Sequence, residues 1–397
     1  MEAPQTNRCA SCCVLGTFKR ETVTKAALAC LKKLEGDPDL VIAFVSSDFQ
    51  NNLPEFLEIL QIDGHARRIV GGTGAGLLGV KREASNYSGF SLFCMRFPRT
   101  NIDCFVGTER DFFREIVTKE DPDACFVLGH PLRKERLEQL IDGLNTYAPG
   151  VVTAGGWVTG GPGGDDVFFF TEAGLCDSEL LAVRLRGGVR IVSLLSQGCR
   201  PIGEPLVITE ADHDRLIRIA GEKPFDVLQG LYAALEQDLK LDKDYSICAG
   251  VAATEIVDEF RSGHFVVEQI IGGNLDRGQL KLSAPVRPGQ TMQFQISDPQ
   301  AAAADLAAKL RTLRDELGTP IGVLLCRDRH RGSRNKAPIE GILGDAAIFE
   351  EMFGKVPMSG LLTFAEIGPT CGATFHHVRA LSGLLFYDPV ETVEADS

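Results

Sequence analysis

The sequence predicts an α/β fold built from repeated strand-helix-strand units, whose mixed sheets are covered by helices, in two domains. Three observations predict it. Strand-length apolar runs alternate with stretches whose apolar residues recur at helical spacing. A glycine-rich or small-residue corner follows the helix in each copy of this pattern. The chain has 397 residues, 44% of them hydrophobic, which is core material for two domains.

The first copy begins with a helix over Glu21 to Leu34, with Ala27, Leu28, Leu31 and Leu34 along one side. Leu40 to Val45 is a continuous apolar run of strand length, and Leu53 to Leu60 is a second helix with Phe56 and Leu57 on its apolar face. Arg68 to Val70 opens a strand that runs into Gly71, Gly72, Gly74 and Gly76, and Phe90 to Phe97 is a further strand. The second copy has a strand at Cys125 to Leu128 and a helix marked by Leu137, Leu140, Ile141 and Leu144. Its corner carries Gly155, Gly156, Gly160 and Gly161, followed by strands at Val167 to Phe170 and Leu180 to Leu185. The third copy has a strand at Ile321 to Leu325 and a helix at Ile348 to Phe353. Its corner is Val356, Pro357 and Gly360, with strands at Leu361 to Phe364 and Leu384 to Tyr387. Self-similarity of this kind fixes the architecture.

Between the second and third copies, Gly198 to Gly221 is rich in turn formers, and Pro224 starts a helix at its first turn. A β-rich region follows, Ile247 to Ile296, and then Asp298 and Pro299 form an N-cap and first-turn pair. The boundary is placed near Lys223. The expected organisation is a flexible tail over 1–20, an N-terminal domain over 21–222, a C-terminal domain over 223–389 and a tail over 390–397.

A formal net charge of -13 repels phosphate backbones and anionic lipid, so neither nucleic acid nor a membrane is an expected partner. No apolar run reaches bilayer length, and no signal-peptide core opens the chain, so a cytoplasmic protein is expected. Its twelve cysteines are then reduced thiols, most of them inside apolar strands.

Several motifs tempt. Gly74, Gly76 and Gly79 spell G-x-G-x-x-G, but no apolar helix face follows to hold a pyrophosphate, so a tight corner is the better reading. Cys9, Cys12 and Cys13 form C-x-x-C-C without a second ligand pair, in a stretch expected to fray. Cys326 stands beside Arg327 and Arg329, which could lower its pKa and make it a nucleophile; its place at the end of an apolar strand argues for a core thiol. His376 and His377 are adjacent and point to opposite faces of a strand, so they cannot clamp one metal.

Three strings carry more. Ser196 to Pro205 reads SQGCRPIGEP, Gly322 to Gly332 reads GVLLCRDRHRG, and Val356 to Thr370 reads VPMSGLLTFAEIGPT. Together they resemble the FIST sensory family of the prokaryotic type, without an F-box, from about Ala26 to about Pro389. The resemblance implies an intracellular sensory module that binds a small ligand, such as an amino acid, and feeds a signalling partner. A haem-binding gas sensor is the alternative within the family, and a cysteine-dependent enzyme or a scaffold the alternative outside it. The family's C-x-x-R element falls on Cys326 and Arg329, with Gly332 soon after. Its G-E-I-G-P element falls on Ala365 to Pro369, which includes Glu366 and Gly368, and its histidine matches His377. The chain departs from the pattern at Ala365, at Gln295 and Ser297 where the family tends to His and Arg, and at Glu268 where it tends to Arg.

The residues agree in part. Arg327, Arg329 and Glu366 stand at strand ends flanked by glycines, where α/β sheets bind ligands. Arg can hold a carboxylate and Glu an ammonium, which suits a zwitterion. The expected pocket is therefore Arg329 and Glu366 with Cys326, Arg327, Gly332, Gly368, His377 and the corner glycines Gly72, Gly74, Gly155 and Gly156. No metal and no resident cofactor are expected, and haem on His377 is disfavoured because its strand is polar.

Overall fold

The computed structural model describes residues 6–389 apart from 81, 86, 119–121, 132–133, 161–165, 240–245, 262 and 332–342. The expected tail 390–397 and Gly332 lie outside the described residues.

Three six-stranded sheets share one strand order. The first stretch of chain runs β1 (Arg8–Leu15), α1 (Arg20–Leu34), β2 (Leu40–Val45), α2 (Leu53–Ile62), β3 (Ile69–Thr73), the hairpin β4 (Gly76–Gly79) and β5 (Arg82–Ser85), then β6 (Gly89–Arg96). The second runs β7 (Asn101–Gly107), α3 (Glu109–Thr118), β8 (Ala124–Gly129), α4 (Lys134–Tyr147), β9 (Val152–Trp157), the hairpin β10 (Phe169–Thr171) and β11 (Gly174–Cys176), then β12 (Leu180–Arg186). In each, the two strands joined by the second helix pair in parallel: β2 with β3 and β8 with β9.

The third begins at β13 (Arg190–Gln197) and is then interrupted. The interruption comprises β14 (Cys199–Pro201), β15 (Leu206–Asp212), β16 (Arg215–Ile219), α5 (Pro224–Leu239), β17 (Ile247–Ala252), β18 (Phe265–Asn274), β19 (Gln279–Leu282) and β20 (Thr291–Ser297). Pairing of β20 with both β15 and β17 closes six of these strands into a barrel, filled by Ile208, Leu216, Leu280, Met292 and Phe294 among others. The stretch expected as a turn-rich boundary before Lys223 is thus β14, β15 and β16, part of the barrel. The third stretch then resumes as α6 (Pro299–Leu317), β21 (Gly322–Asp328), α7 (Asp345–Phe353), β22 (Met358–Thr363), the hairpin β23 (Glu366–Thr370) and β24 (Ala373–His377), and β25 (Ala380–Tyr387). Again β21 and β22 are parallel.

Each hairpin leaves its own sheet. The β4–β5 hairpin extends the third sheet beside β22, β10–β11 extends the first beside β3, and β23–β24 extends the second beside β9. The sheets meet face to face over one core that includes Phe44, Phe93, Phe126, Leu128, Leu361 and Phe386. Phe93 stacks on Phe386 at 5.6 Å. Each outer face is covered by a helix pair: α1 and α2, α3 and α4, α6 and α7. Strands buried on both faces explain the continuous apolar runs; every residue of β2 is buried.

The stretch expected to fray contains a strand. Residues Arg8 to Leu15 pair with β6 along their whole length. Cys9 and Cys13 turn toward the central core while Ala10, Cys12 and Val14 turn toward α1. Cysteine behaves here as a small hydrophobe, and the alternation of a half-buried strand is hidden in residues that look polar. Among the described residues no helix is long and apolar enough to cross a membrane.

Candidate functional site

The corner glycines are packed, not open. A Cβ on Gly155 would stand 1.9 Å from the Val127 carbonyl oxygen, and one on Gly156 2.7 Å from that of Ala365. Gly72 lies against the Phe169 ring, Gly74 against Leu361 and Gly368 against Leu195. The corners are where one sheet accepts the neighbouring hairpin, so protein fills the space expected for a ligand.

At the end of β21 lies a buried ionic cluster. Arg327 donates from Nε to Asp345 at 2.6 Å, and Arg331 donates from Nε to the same carboxylate at 3.1 Å. The other guanidinium nitrogens of Arg331 donate to the Ser196 carbonyl at 2.7 Å, the Ser196 hydroxyl at 2.8 Å and the Ala302 carbonyl at 3.0 Å. Burial opposes ionisation of Asp345, but the charges of Arg331 and Arg327 outweigh it and hold the carboxyl below its usual range. Asp328 accepts from the backbone N–H of His330 at 2.6 Å and of Arg379 at 2.7 Å. These groups bridge β13, α6, β21, α7 and the start of β25, and Arg327 is held among them by Asp345.

Arg329 and Glu366, expected as partners, share no hydrogen bond or ion pair among the described residues. Arg329 is exposed and lies over the Phe364 ring, 4.4 Å from its centroid. Glu366 is fully buried; it accepts from the Thr363 hydroxyl at 2.6 Å and the Ala380 N–H at 3.2 Å. Burial, and then the Asp328 charge, push its pKa well up. Arg329 lies in the turn just past the end of β21, where it is exposed, while Arg331 two residues on is buried on Asp345. Cys326 is completely buried, and burial and then the Glu366 carboxyl raise its thiol pKa.

His377 is also completely buried. Its Nε2 lies 3.3 Å from both the Thr370 hydroxyl and the Gly368 carbonyl oxygen, and burial followed by the neighbouring His376 brings its pKa down to about 3. Haem needs an axial nitrogen facing a broad apolar slot. A ring enclosed in the β23–β24 hairpin does not offer one, and the residues present do not fit that group.

Unmet hydrogen-bonding capacity gathers elsewhere, on the seam where the barrel meets β23, β24 and the start of β25. Gln295, Ser297 and Arg379 are 2%, 3% and 6% exposed, yet Gln295 Oε1, Ser297 Oγ and Arg379 Nε have no hydrogen-bond partner. They belong to one cluster. Cys248 is the register partner of Gln295, Cys199 that of Ser297, and the Arg379 side chain hydrogen-bonds the Cys248 thiol and lies near that of Cys199. Arg379 is anchored by donating from Nη1 to the His330 carbonyl at 2.9 Å, and it sits in the left-handed region at φ 59. Beside it, Arg329 and Phe364 form an exposed edge, and Phe364 bonds through its N–H to the carbonyl of Trp157. The Trp157 Nε1 is likewise buried without a partner. Native proteins leave few buried polar atoms unpaired, so such a cluster asks for a function. Two of its members were visible in the sequence as departures from the family pattern; Arg379 was not, because only the fold turns it to the barrel.

The two-domain chain falls in a class, the FIST proteins, a sensory family of signal transduction. The FIST N domain matches residues 39–222 and the FIST C domain residues 224–369, and the chain belongs to this family. It is 27% identical over 381 residues to an uncharacterized protein of Mycobacterium tuberculosis, covering 93% of this chain and 97% of that one. It is 32% identical over 253 residues to an uncharacterized protein of Mycobacterium bovis, covering 64% of each.

Proposed function

We propose that this chain is a sensor that binds a small ligand at the seam between the barrel and the second sheet, and passes its occupancy to a signalling protein. The observation that carries this reading is the cluster of unpartnered Gln295 Oε1, Ser297 Oγ and Arg379 Nε. The Arg379 donor suits a carboxylate, and the Gln295 and Ser297 oxygens suit an ammonium group. A small zwitterion such as an amino acid offers both. Arg329 on the exposed edge adds positive charge at the approach and steers an anionic group inward.

Native mass spectrometry of the purified protein tests what co-purifies. A panel of amino acids in a thermal-shift assay then tests the class. At one hundred times Kd a ligand stabilises by about 2.7 kcal/mol, a rise of several degrees. Gln295→Leu keeps the volume and removes the acceptor, and is expected to abolish the rise. Arg329→Ala is expected to weaken binding severalfold, so that the same rise needs severalfold more ligand. A rise that is undiminished in both Gln295→Leu and Ser297→Ala would sink the proposed location.

A further inference from the structure

The barrel is an insertion into the third stretch of chain, and its two ends lie side by side. Cys199 opens it and Ser297 closes it, and these two residues are antiparallel register partners. Just outside them, the Asp298 N–H donates to the Gly198 carbonyl at 3.1 Å. The chain therefore enters and leaves the barrel at one crossing. The barrel also has a core of its own. Ile202, Ile208, Leu216, Val251, Met292 and Phe294 belong to it, and every member of that cluster lies between the two ends.

Away from the crossing, the barrel is held differently from the exchanged hairpins. Each hairpin is stitched into its new sheet by ladder pairing. Across the seam, Gln197 Nε2 donates to the Phe265 carbonyl at 2.6 Å and the Val378 N–H to the Val267 carbonyl at 3.4 Å. His376 Nδ1 stands 4.0 Å from Glu268 Oε1. The apolar part of the seam joins Cys199, Cys248 and Val267 of the barrel to Trp157, Ile367 and Val378.

We propose that the barrel is a hinged unit that swings away from the second sheet about the Gly198–Asp298 crossing, and that this swing is the ligand's way into the seam. The entry role rests on the seam reading above; the swing itself does not. Three arguments support it. The first is connectivity. A unit tied at one crossing turns by a change of backbone angles at the ends of its flanking elements, whereas β23 cannot leave β9 without breaking their ladder. The second is energetic. The swing leaves the barrel core and the central core intact and uncovers a mixed surface of small side chains, the kind of interface across which domains move. Gln295 Oε1, Ser297 Oγ, Arg379 Nε and Trp157 Nε1 have no partner in the closed seam, so they lose no hydrogen bond on opening and gain water. The third is room. The closed seam is tightly packed: the Gln295 amide lies on Gly250, where a Cβ would stand 2.3 Å from its Nε2. A ligand that reaches Gln295 has to part the two faces first.

The test uses the full chain and its own thiols. Cys199 and Cys248 are buried in the seam, and Cys125 of β8 and Cys326 of β21 are buried within the sheets. N-ethylmaleimide is added under native conditions, and the modification of each cysteine is followed by peptide mass spectrometry. The seam thiols are expected to react on the order of tenfold faster than Cys125 and Cys326, because local opening is more frequent than global unfolding. Gln197→Leu keeps the volume and removes the donor to Phe265. It is expected to speed both seam thiols severalfold and to leave Cys125 and Cys326 unchanged. An amino acid from the thermal-shift panel that raises the melting temperature is expected to slow the seam thiols. One common rate for all four thiols, in the wild type and in Gln197→Leu, would overturn the hinge whether or not an amino acid binds. Fast seam thiols that no stabilising amino acid slows would uphold the swing and overturn the seam as the ligand's entrance.

Discussion

Glu366 and His377 are register partners on β23 and β24, and burial moves them in opposite directions. Glu366 has a pKa raised well above its usual 4.5, so the folded state holds a proton that the unfolded state releases. Its contribution is full below pH 4.5 and declines as the pH climbs toward the folded value. His377 is lowered from 6.5 to about 3, so the unfolded state takes up a proton that the folded state refuses. Its contribution is full above pH 6.5 and declines as the pH falls toward 3. Above 4.5 and below 6.5 the two slopes oppose each other, while below 4.5 the fall comes from His377 and above 6.5 from Glu366 alone. Glu366→Gln is expected to flatten the alkaline fall and His377→Gln the acid fall, as read by urea unfolding across pH. Parallel pH curves for wild type and both variants would contradict the assignment. Arg331 offers a third residue-scale test. Arg331→Met leaves Asp345 with one arginine and orphans the Ser196 and Ala302 carbonyls. The expected loss is about 3–5 kcal/mol, measured as a shift in urea midpoint. A loss under 1 kcal/mol would remove the cluster's structural role.

Elements were legible where burial is uniform and obscured where it alternates in small polar-looking residues. Leu40 to Val45 reads as a strand because all six side chains are apolar and buried. The strand Arg8–Leu15 does not, since its core-facing positions are Cys9, Ser11 and Cys13. The glycine corners were visible, but their purpose was not: Gly155 and Gly156 look alike whether a ligand or a neighbouring carbonyl approaches them. Likewise Arg327, Arg329 and Arg331 are one run of basic residues in sequence, and only the strand end decides that one is exposed and two are locked on Asp345. The β1 assignment predicts that removing residues 1–16 uncovers the β6 edge and the Cys9 contact with Gly322. An exposed apolar edge favours association. Size-exclusion chromatography is expected to show aggregation of the truncated chain, and a monodisperse protein with unchanged melting would contradict the strand's role.

On the scale of the whole molecule, the two family domains are consecutive in sequence and interleaved in space. The third sheet takes β4 and β5 from before residue 222, and the second sheet takes β23 and β24 from after it. Ser359, Gly360 and Leu361 pair with β4, and Glu366 and Ile367 pair with β9. The central core draws Phe93 and Phe126 from one side of the boundary and Leu361 and Phe386 from the other. Cutting at 222 would therefore leave β22 and β9 as open edges and halve a shared apolar core. Neither half could satisfy its backbone or bury its apolar face alone. The chain is expected to unfold in one transition, with calorimetric and van't Hoff enthalpies in agreement. Residues 1–222 and 223–397, produced separately, are expected to lack tertiary near-ultraviolet dichroism and to regain it only when mixed. Two separate transitions, or a folded isolated half, would show that the exchanged hairpins do not couple the domains. Coupling of this kind also bears on sensing, since the seam cluster of Gln295, Ser297 and Arg379 joins the barrel to strands that reach the shared core. Tightening that seam on ligand binding would then raise the single melting transition as a whole, whereas independent domains would show the rise in one transition only.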